Sequence, residues 1–211
     1  MLSFDLSPFV RRPRQERSRA ALSTIMAAAA DVLARKGHDG FSMTEIAEAA
    51  GMAVANIYRR FESKDSIVQA LALYNFQRLE EQIVAAMVGR RFASAGDVVA
   101  ELAAIMTTVS DRNEALFRVL STYPTPSAEY RDMLLAHRRR LVSYYKDAVS
   151  GFLKPLPEPQ LDMVIGISYY IVASAVISKS RGDDPTMLMI SWADLAQEVS
   201  RAATAYLQQS C

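Results

Sequence analysis

Residues 41–64 read FSMTEIAEAAGMAVANIYRRFESK, and their apolar and polar positions predict two short helices joined by a tight turn. Ser42 and Glu45 have the S-x-x-E spacing of a capping box, in which two side chains satisfy the free amides at a helix start. Gly51 suits the left-handed residue that ends a helix. A second helix is then expected over residues 54–60, so the stretch predicts a pair of helices around one turn.

The second helix of this pair is predicted to have a packing face and a polar face. At about 100° per residue, one face carries Val54, Ile57 and Phe61. The opposite face carries Ala55, Asn56 and Arg59, with Tyr58 and Arg60 at its edges. This layout is typical of a helix-turn-helix, whose second helix enters the major groove of DNA. An ordinary helical hairpin with a solvated outer face is the alternative interpretation.

The composition is that of a globular protein with an uneven charge distribution. The chain has 211 residues, of which 51% are hydrophobic and 22% charged, enough for one or two domains. The net charge is +1, but residues 10–65 hold ten Arg/Lys against seven Asp/Glu, a net +3. The basic excess therefore lies with the predicted helix-turn-helix, where contacts to phosphates would need it.

Cysteine use and hydropathy indicate a cytoplasmic protein outside the membrane. The single cysteine, Cys211, allows no internal disulfide, which suits a reducing compartment. No signal peptide is evident at the N-terminus. The most apolar run, residues 163–178, is short for a membrane span, and we interpret it as a buried helix.

The rest of the chain predicts an all-α protein of about nine helices. They are expected at residues 16–36, the two helices of the turn, 64–89, 96–110, 113–123, 127–152, 158–181 and 185–208. We divide the chain into a disordered basic arm (1–15), a three-helix helix-turn-helix DNA-binding domain (16–63), and a larger effector-binding and dimerisation domain (64–211). The arginines that precede and open the first helix, including Arg17 and Arg19, form either an arm that contacts DNA or a solvated tail.

The last two helices predict a homodimer. The helix at 158–181 is apolar on two faces, so it needs two partners, and a four-helix bundle formed by two subunits would supply them. The expected interface residues are Val172, Val176, Leu188, Trp192, Leu195, Ala196, Val199 and Ala203. The arginine triplet at 138–140 is interpreted as a solvated face.

Residues 19–71 resemble the TetR family of bacterial transcriptional regulators. The resemblance rests on the first helix AAAADVLARKG, on FSMTEIAEAAGM and on NIYRRFESKDSIVQAL, with specific spacing of Gly51, Tyr58, Phe61 and Lys64. It implies an Ω-shaped, all-helical homodimer that binds a palindromic operator. Members usually repress transcription, and a small molecule in the larger domain releases them from DNA.

The resemblance also implies roles for individual residues of the DNA-binding domain. Ser42 and Thr44 would begin the helix that abuts the DNA backbone, and Tyr58 and Lys64 would contact phosphates. Asn56 and Arg59 take base-facing positions, where asparagine suits adenine and arginine suits guanine. Ala53 departs from the Ser or Thr usual at its position. Arg60 departs from the usual His or Tyr, and we expect it to contact a phosphate.

The effector site is expected between the fourth helix and the helices that follow it. Its candidate lining residues are Phe76, Leu79, Met106, Phe117, Tyr123, Tyr144, Tyr145 and Tyr169. Each of them is equally explained as a core residue. Their composition suits a plastic, mostly apolar pocket with a few hydroxyl groups, and the expected ligand is a small, mostly apolar molecule.

An enzyme and a helical adaptor are the two other classes of protein to which such a chain could belong. No phosphate-binding, dinucleotide-binding or nucleophile-elbow motif is present, so we expect no enzyme and no cofactor. His38, His137 and one cysteine give no zinc spacing, so no metal is expected. A helical dimeric adaptor or small-molecule-binding protein without DNA binding is the alternative function, and DNA occupancy without an effector is a narrower one.

Overall fold

The fold is all-α, as expected, in a computed structural model that describes residues 9–10, 16–123 and 127–210, without the side chains of residues 16–19 and 38. The described helices are α1 (Glu16–Gly40), α2 (Met43–Ala49), α3 (Val54–Tyr58), α4 (Lys64–Met87), α5 (Ala95–Arg112), α6 (Glu114–Thr122), α7 (Ala128–Val149), α8 (Glu158–Arg181), α9 (Pro185–Met189) and α10 (Trp192–Ser210), with a 3₁₀ turn at Ser150–Phe152. The described ranges therefore contain ten α-helices, where about nine were expected.

The chain forms two compact units. The first comprises Met1–Gln77 and Ala115–Tyr130, and the second comprises Arg78–Glu114 and Arg131–Cys211. Helix α4 therefore begins in the first unit and ends in the second. The domain boundary that we placed before residue 64 stays a prediction.

Helices α1, α2 and α3 pack around one apolar core in the first unit. Their buried residues include Ile25, Met26, Ala29, Val32, Leu33, Phe41, Ile46 and Ile57. Gly37, expected to end the first helix, has φ 71° and ψ 179°, which breaks the helical geometry before a last turn reaches Gly40. Glycine is needed there because this region of backbone conformation is closed to other residues.

The start of α2 is stabilised by the predicted capping box. The amide of Glu45 donates to Ser42 Oγ at 3.2 Å, and the amide of Ser42 donates to Glu45 Oε2 at 2.9 Å. Lys36, on α1, forms an ion pair with the other carboxylate oxygen of Glu45. Hydrogen bonds from Lys36 and then Ser42 lower the pKa of Glu45. The carboxylate therefore joins α1 to the cap of α2, and Gly51 follows with the expected positive φ of 62°.

Two residues of the predicted disordered arm pack inside the first unit. Phe9 and Val10 are buried, and the ring of Phe9 meets the ring of Tyr130 edge-on, with centroids 6.1 Å apart. The description of residues 1–15 as wholly disordered was therefore wrong at these two positions, because their apolar side chains find a place in the core. The remainder of the arm lies outside the described residues.

Helices α5, α8 and α10 pack together in the second unit. Their buried side chains include Val98, Leu102, Ala103 and Met106 on α5, Ile165, Tyr169, Val172 and Val176 on α8, and Leu195, Val199, Ala203 and Leu207 on α10. The bounds expected for α8 agree with the structure, and Gly182 ends it with a φ of 69°. Inside the unit, Tyr145 Oη and Ser168 Oγ form a buried hydrogen bond at 2.7 Å.

The single final helix expected at 185–208 is two helices. Asp184 caps α9 as predicted, accepting from the Thr186 amide at 2.8 Å. Helix α9 ends at Met189, and the Lys179 ammonium donates to the carbonyl oxygens of Met187 and Ile190. Ser191 then caps α10, accepting from the Asp194 amide at 3.0 Å. The helix breaks because Lys179 satisfies the carbonyl groups at the end of α9 and Ser191 satisfies the amides at the start of α10.

Removing the α2 cap should destabilise the protein. Ser42→Ala loses the side-chain oxygen that accepts from the Glu45 amide, so we expect the free energy of unfolding to fall by about 0.5–2 kcal/mol in urea titration followed by circular dichroism. Ser23→Ala, at an exposed position within α1, is the matched control and should change it by less than about 0.5 kcal/mol. Equal effects of the two substitutions would contradict the role of the cap.

Candidate nucleic-acid interface

Helix α3 is held by two buried side chains. It has only five residues and begins after Ala53, which provides no side-chain hydrogen bond to its first amides. A helix this short is unstable alone in water, so its conformation depends on packing. Ile57 and Phe61 are completely buried, and the Phe61 amide donates to the Ile57 carbonyl oxygen at 2.9 Å. Their burial fixes which side of α3 faces solvent.

The solvent-facing side of α3 carries the residues that were expected to face DNA. Ala55, Tyr58 and Arg59 are exposed, and Asn56 is half-buried. The Arg59 guanidinium donates from Nη2 to Asn56 Oδ1 at 2.7 Å. The sequence placed Asn56 and Arg59 on one face, but it did not indicate that they bond to each other. We call the surface formed by Ala55, Asn56, Tyr58 and Arg59 the reading face.

Two residues beside the reading face lie differently from the helical-wheel expectation. Arg60 is 8% exposed, so its side chain is largely buried in the first unit; this burial disfavours the expected contact with a DNA phosphate, which stays a prediction. Arg60 follows the end of α3 at Tyr58 and precedes the buried Phe61, and its side chain turns to the packing side instead of to solvent. Burial, followed by the nearby charge of Arg59, lowers the pKa of Arg60. Val54, expected on the packing face, is exposed.

The starts of α2 and α4 supply the expected positions for phosphate contacts. Thr44, in the first turn of α2, is exposed, whereas the Ser42 hydroxyl is engaged with Glu45. Lys64 opens α4, and its ammonium lies 4.4 Å from the centre of the Phe41 ring, a cation–π contact that limits its motion. Ser63 caps α4 as predicted, accepting from the Ser66 amide at 3.2 Å. The side chains of Arg17 and Arg19 lie outside the described residues.

The eight residues expected to line an effector site divide between the two units. Phe76, Phe117 and Tyr123 belong to the first unit, and Leu79, Met106, Tyr144, Tyr145 and Tyr169 belong to the second. Tyr123 donates its hydroxyl proton to Asp65 Oδ1 at 2.7 Å within the first unit. In the second unit, four of the five are buried and Tyr144 is half-buried. Whether any of them contacts a ligand stays a prediction.

A buried charged cluster lies in the second unit, and sequence reasoning missed most of it. Glu80 is 2% exposed and accepts from Arg140 Nε at 2.7 Å and Arg140 Nη2 at 2.9 Å. His137 Nδ1 lies 2.9 Å from Glu80 Oε2, and the Tyr144 hydroxyl lies 3.5 Å from Glu80 Oε1. Burial lowers the pKa of His137, which favours the neutral imidazole. Burial alone would raise the pKa of Glu80, but the hydrogen bonds and charges of Arg140 and His137 together outweigh it, so this pKa is lowered. We call these four residues the Glu80 cluster.

The Glu80 cluster corrects the interpretation of the arginine triplet. Arg140 bonds to a buried carboxylate, and Arg138 lies 3.9 Å from the centre of the Tyr170 ring, so only Arg139 of the three fits a solvated face. The signal for Glu80 was its register with Ile83 and Met87, which places a carboxylate in an apolar stripe of α4. Within the described ranges, no group of three or more His, Cys, Asp or Glu side chains could hold a metal ion.

Most residues expected at a dimer interface lie in the core of the second unit. Val172, Val176, Trp192, Leu195, Val199 and Ala203 are buried in the single chain, while Ala196 is half-buried and Leu188 is exposed on α9. Trp192 also bonds through Nε1 to Glu114 Oε2 at 3.3 Å. The physical reason is that α8 and α10 turn these faces towards α5 and towards each other. The six buried residues offer no surface to a second subunit in this conformation, and their place at an interface stays a prediction.

The helix-turn-helix with its reading face defines the class of protein as a DNA-binding regulator. Residues 25–71 match the model of the bacterial regulatory proteins of the tetR family. The match covers the helix-turn-helix, so this part of the chain is that of a TetR-family transcriptional regulator. No curated protein matches the chain in sequence.

Solved structures of similar proteins share the fold over nearly the whole chain. A tetR-family transcriptional regulator from Streptomyces coelicolor is 18% identical with a TM-score of 0.71, covering 91% of this chain and 82% of that one. A tetR-family regulatory protein from Rhodococcus RHA1 is 23% identical with a TM-score of 0.64, covering 90% and 96%. The regulator FadR from Bacillus subtilis, in complex with stearoyl-CoA, is 16% identical with a TM-score of 0.64, covering 88% and 98%.

Lys64→Ala should weaken DNA binding without changing sequence preference. Because we expect Lys64 to contact a phosphate, its loss should reduce affinity for all duplexes alike and make the slope of log affinity against log salt shallower by about 0.9 per subunit. Fluorescence anisotropy over a salt series would measure both effects. Lys64→Arg keeps the charge and should retain most of the slope, and a change in base preference with Lys64→Ala would contradict the assignment.

Proposed function

We propose that this regulator is a homodimer that represses transcription by occupying a palindromic operator and leaves it when a small, mostly apolar molecule binds. The observation that carries the DNA-binding part is the reading face, held outward by buried Ile57 and Phe61. Polar side chains on the outer face of a recognition helix can hydrogen-bond base edges in the major groove. Such a protein works in the cytoplasm, where its operator is.

An exposed apolar stripe on α8 supports the homodimer. Met163, Ile167, Tyr170 and Ile177 are all more than 40% exposed, and with Ser174 they follow the alternating spacing of four and three residues that brings two helices together. In the described part of the chain, α8 alone is long and apolar enough to span a membrane, and 39% of its most apolar window is buried. Pairing of two copies through this stripe would cover its exposed part without a membrane.

A two-fold dimer explains why the operator should be palindromic. Each subunit would present one reading face, and two-fold symmetry would place identical faces on two inverted half-sites. Half-sites are then expected about one helical turn apart, or a multiple of it. The surface stripe replaces the buried residues of α8 and α10 as the proposed contact between subunits.

Helix α4 and the second unit support a ligand-responsive function. Helix α4 runs without a break from Lys64, at the proposed phosphate contact, to Met87 in the second unit. The second unit contains Met106, Tyr145 and Tyr169 as apolar groups and the Glu80 cluster as a polar group. A ligand that binds more tightly to the DNA-free arrangement would shift the population away from DNA.

Acyl-CoA thioesters are the first class of effector that we propose. The structure of FadR from Bacillus subtilis contains stearoyl-CoA, and this chain covers 98% of that one with the same fold. A long acyl chain suits apolar and tyrosine side chains of the kind found in the second unit. The polar remainder of such a ligand could be recognised by the half-buried Tyr144 and by the side chain of Arg140, which is 39% exposed.

Charging the stripe on α8 should produce monomers. Ile167→Asp places a carboxylate in the proposed interface, where it would be desolvated without a partner, so we expect a monomer in sedimentation velocity and weaker operator binding. Val88→Asp, at another exposed apolar residue, just beyond the end of α4, is the control and should remain dimeric. A stable dimer of Ile167→Asp with an unchanged circular dichroism spectrum would place the interface elsewhere.

Acyl-CoA should release the protein from its operator. We expect stearoyl-CoA, in an acyl-CoA series starting from octanoyl-CoA, to lower operator affinity at least tenfold, which corresponds to a differential binding of about 1.4 kcal/mol. Fluorescence anisotropy with a duplex selected by the protein measures this, and free coenzyme A is the control. Operator affinity that does not change with any member of the series would contradict the acyl-CoA class and favour occupancy without this effector.

A further inference from the structure

We propose that Asn56 and Arg59 form a single reading unit in which Asn56 orients Arg59 and Arg59 reads a guanine. This inference rests on the proposed function, because it requires a sequence-specific site. It replaces the expectation from the sequence that Asn56 and Arg59 read separate bases. Asn56 then becomes a positioning residue that acts through Arg59.

The geometry of α3 brings the two side chains together before DNA is present. They are three residues apart, a spacing at which side chains on a helix lie side by side. Arg59 Nη2 donates to Asn56 Oδ1 at 2.7 Å, a short bond whose donor is charged. Hydrogen bonds with one ionised partner are roughly twice as strong as those between neutral groups. Asn56 is half-buried, so its side chain provides a firmer anchor than a fully exposed one.

The guanidinium remains able to read guanine while it is bonded to Asn56. It carries five N–H groups in a rigid plane, arranged as two edges that can each donate two parallel bonds. Nη2 contributes one N–H to each edge, so a single bond to Asn56 uses one edge and leaves the other complete. That remaining edge matches the O6 and N7 acceptors of guanine in the major groove.

The same bond makes Asn56 a poor reader of adenine. A bidentate contact with adenine requires the asparagine oxygen to accept from N6 while its nitrogen donates to N7. In this structure the oxygen, Oδ1, already accepts from the charged Arg59. An adenine amino group is a neutral donor and would have to displace or share that stronger bond. If Arg59 reads guanine while it remains bonded to Asn56, the hydrogen bond between the two side chains is kept.

Flexibility explains why positioning would matter. An arginine side chain has many rotamers in solution, and fixing them on binding DNA costs free energy. A bond to Asn56 restricts the guanidinium before binding, so part of that cost is met during folding. Removal of Asn56 would therefore reduce discrimination at the guanine that Arg59 reads, although Asn56 touches no atom of that base.

The test is selection from random double-stranded DNA with five proteins in parallel: wild type, Asn56→Ala, Arg59→Ala, the double variant and Asn56→Asp. Arg59→Ala should reduce discrimination at one G·C pair per half-site by roughly 5- to 150-fold. Asn56→Ala should reduce it at the same pair, by less. The double variant should match Arg59→Ala within about twofold, because coupled residues do not add independently.

Asn56→Asp separates positioning from direct reading. The aspartate keeps the acceptor for Arg59 but lacks the amide donor that adenine N7 requires, so the guanine preference should persist although overall affinity falls by repulsion from phosphates. Asn56→Ala could instead reduce discrimination at a different base pair, with the fold-losses of Asn56→Ala and Arg59→Ala multiplying in the double variant. In that case the inference is wrong while the proposed function stands. If the wild type enriches no sequence at low or moderate salt, the proposed function itself fails.

Discussion

The burial of Ile57 and Phe61 is the interaction on which the account depends. Helix α3 has five residues and no side-chain cap, so its own hydrogen bonds cannot keep it folded. These two side chains are completely buried, and each contributes about 1.5–3 kcal/mol relative to exposure. They also decide orientation, because a helix anchored through one face must present the opposite face to solvent. The polar residues of the reading face are functional candidates only because of that anchoring.

The second unit shows a different balance of forces. Its core is mostly apolar, yet it buries a glutamate and an imidazole, which is costly unless their bonds are satisfied. Arg140 provides two hydrogen bonds to Glu80, and its own charge stabilises the carboxylate. Replacing one partner would leave a buried charge without compensation. We therefore regard the Glu80 cluster as a specific arrangement, and the ligand proposal uses the partly exposed Arg140 as its polar contact.

Local signals in the sequence predicted most of the fold. The capping box at Ser42, the turn at Gly51 and the cap at Asp184 depend on neighbouring residues, so they can be read from spacing. Two further caps, Ser94 for α5 and Ser191 for α10, have the same S-x-x-D spacing and were overlooked. Recognising Ser191 would have divided the last helix correctly.

The errors arose where a long-range contact decides the outcome. Arg60 and Arg140 are charged, and charge alone favours solvent, but the side chain of Arg60 is largely buried and Arg140 bonds to a glutamate 60 residues away in sequence. Likewise, periodicity identified Val172 and Trp192 as packing residues but could not say whether their partner is the same chain or a second one. For the reading face, the outward position of Tyr58 and Arg59 was predicted from the sequence. The bond between Asn56 and Arg59 needed coordinates, because a spacing of three residues permits that contact without requiring it.

We propose that the reading face recognises DNA sequence. The most direct measurement is the ratio of dissociation constants of the wild-type protein for its selected palindromic duplex and for a scrambled duplex of equal length, at one physiological salt concentration. A sequence-specific regulator should bind the palindrome roughly 10³-fold or more tightly. Equal affinity for the two duplexes would mean that binding depends on phosphates alone, and it would contradict the assignment of the reading face.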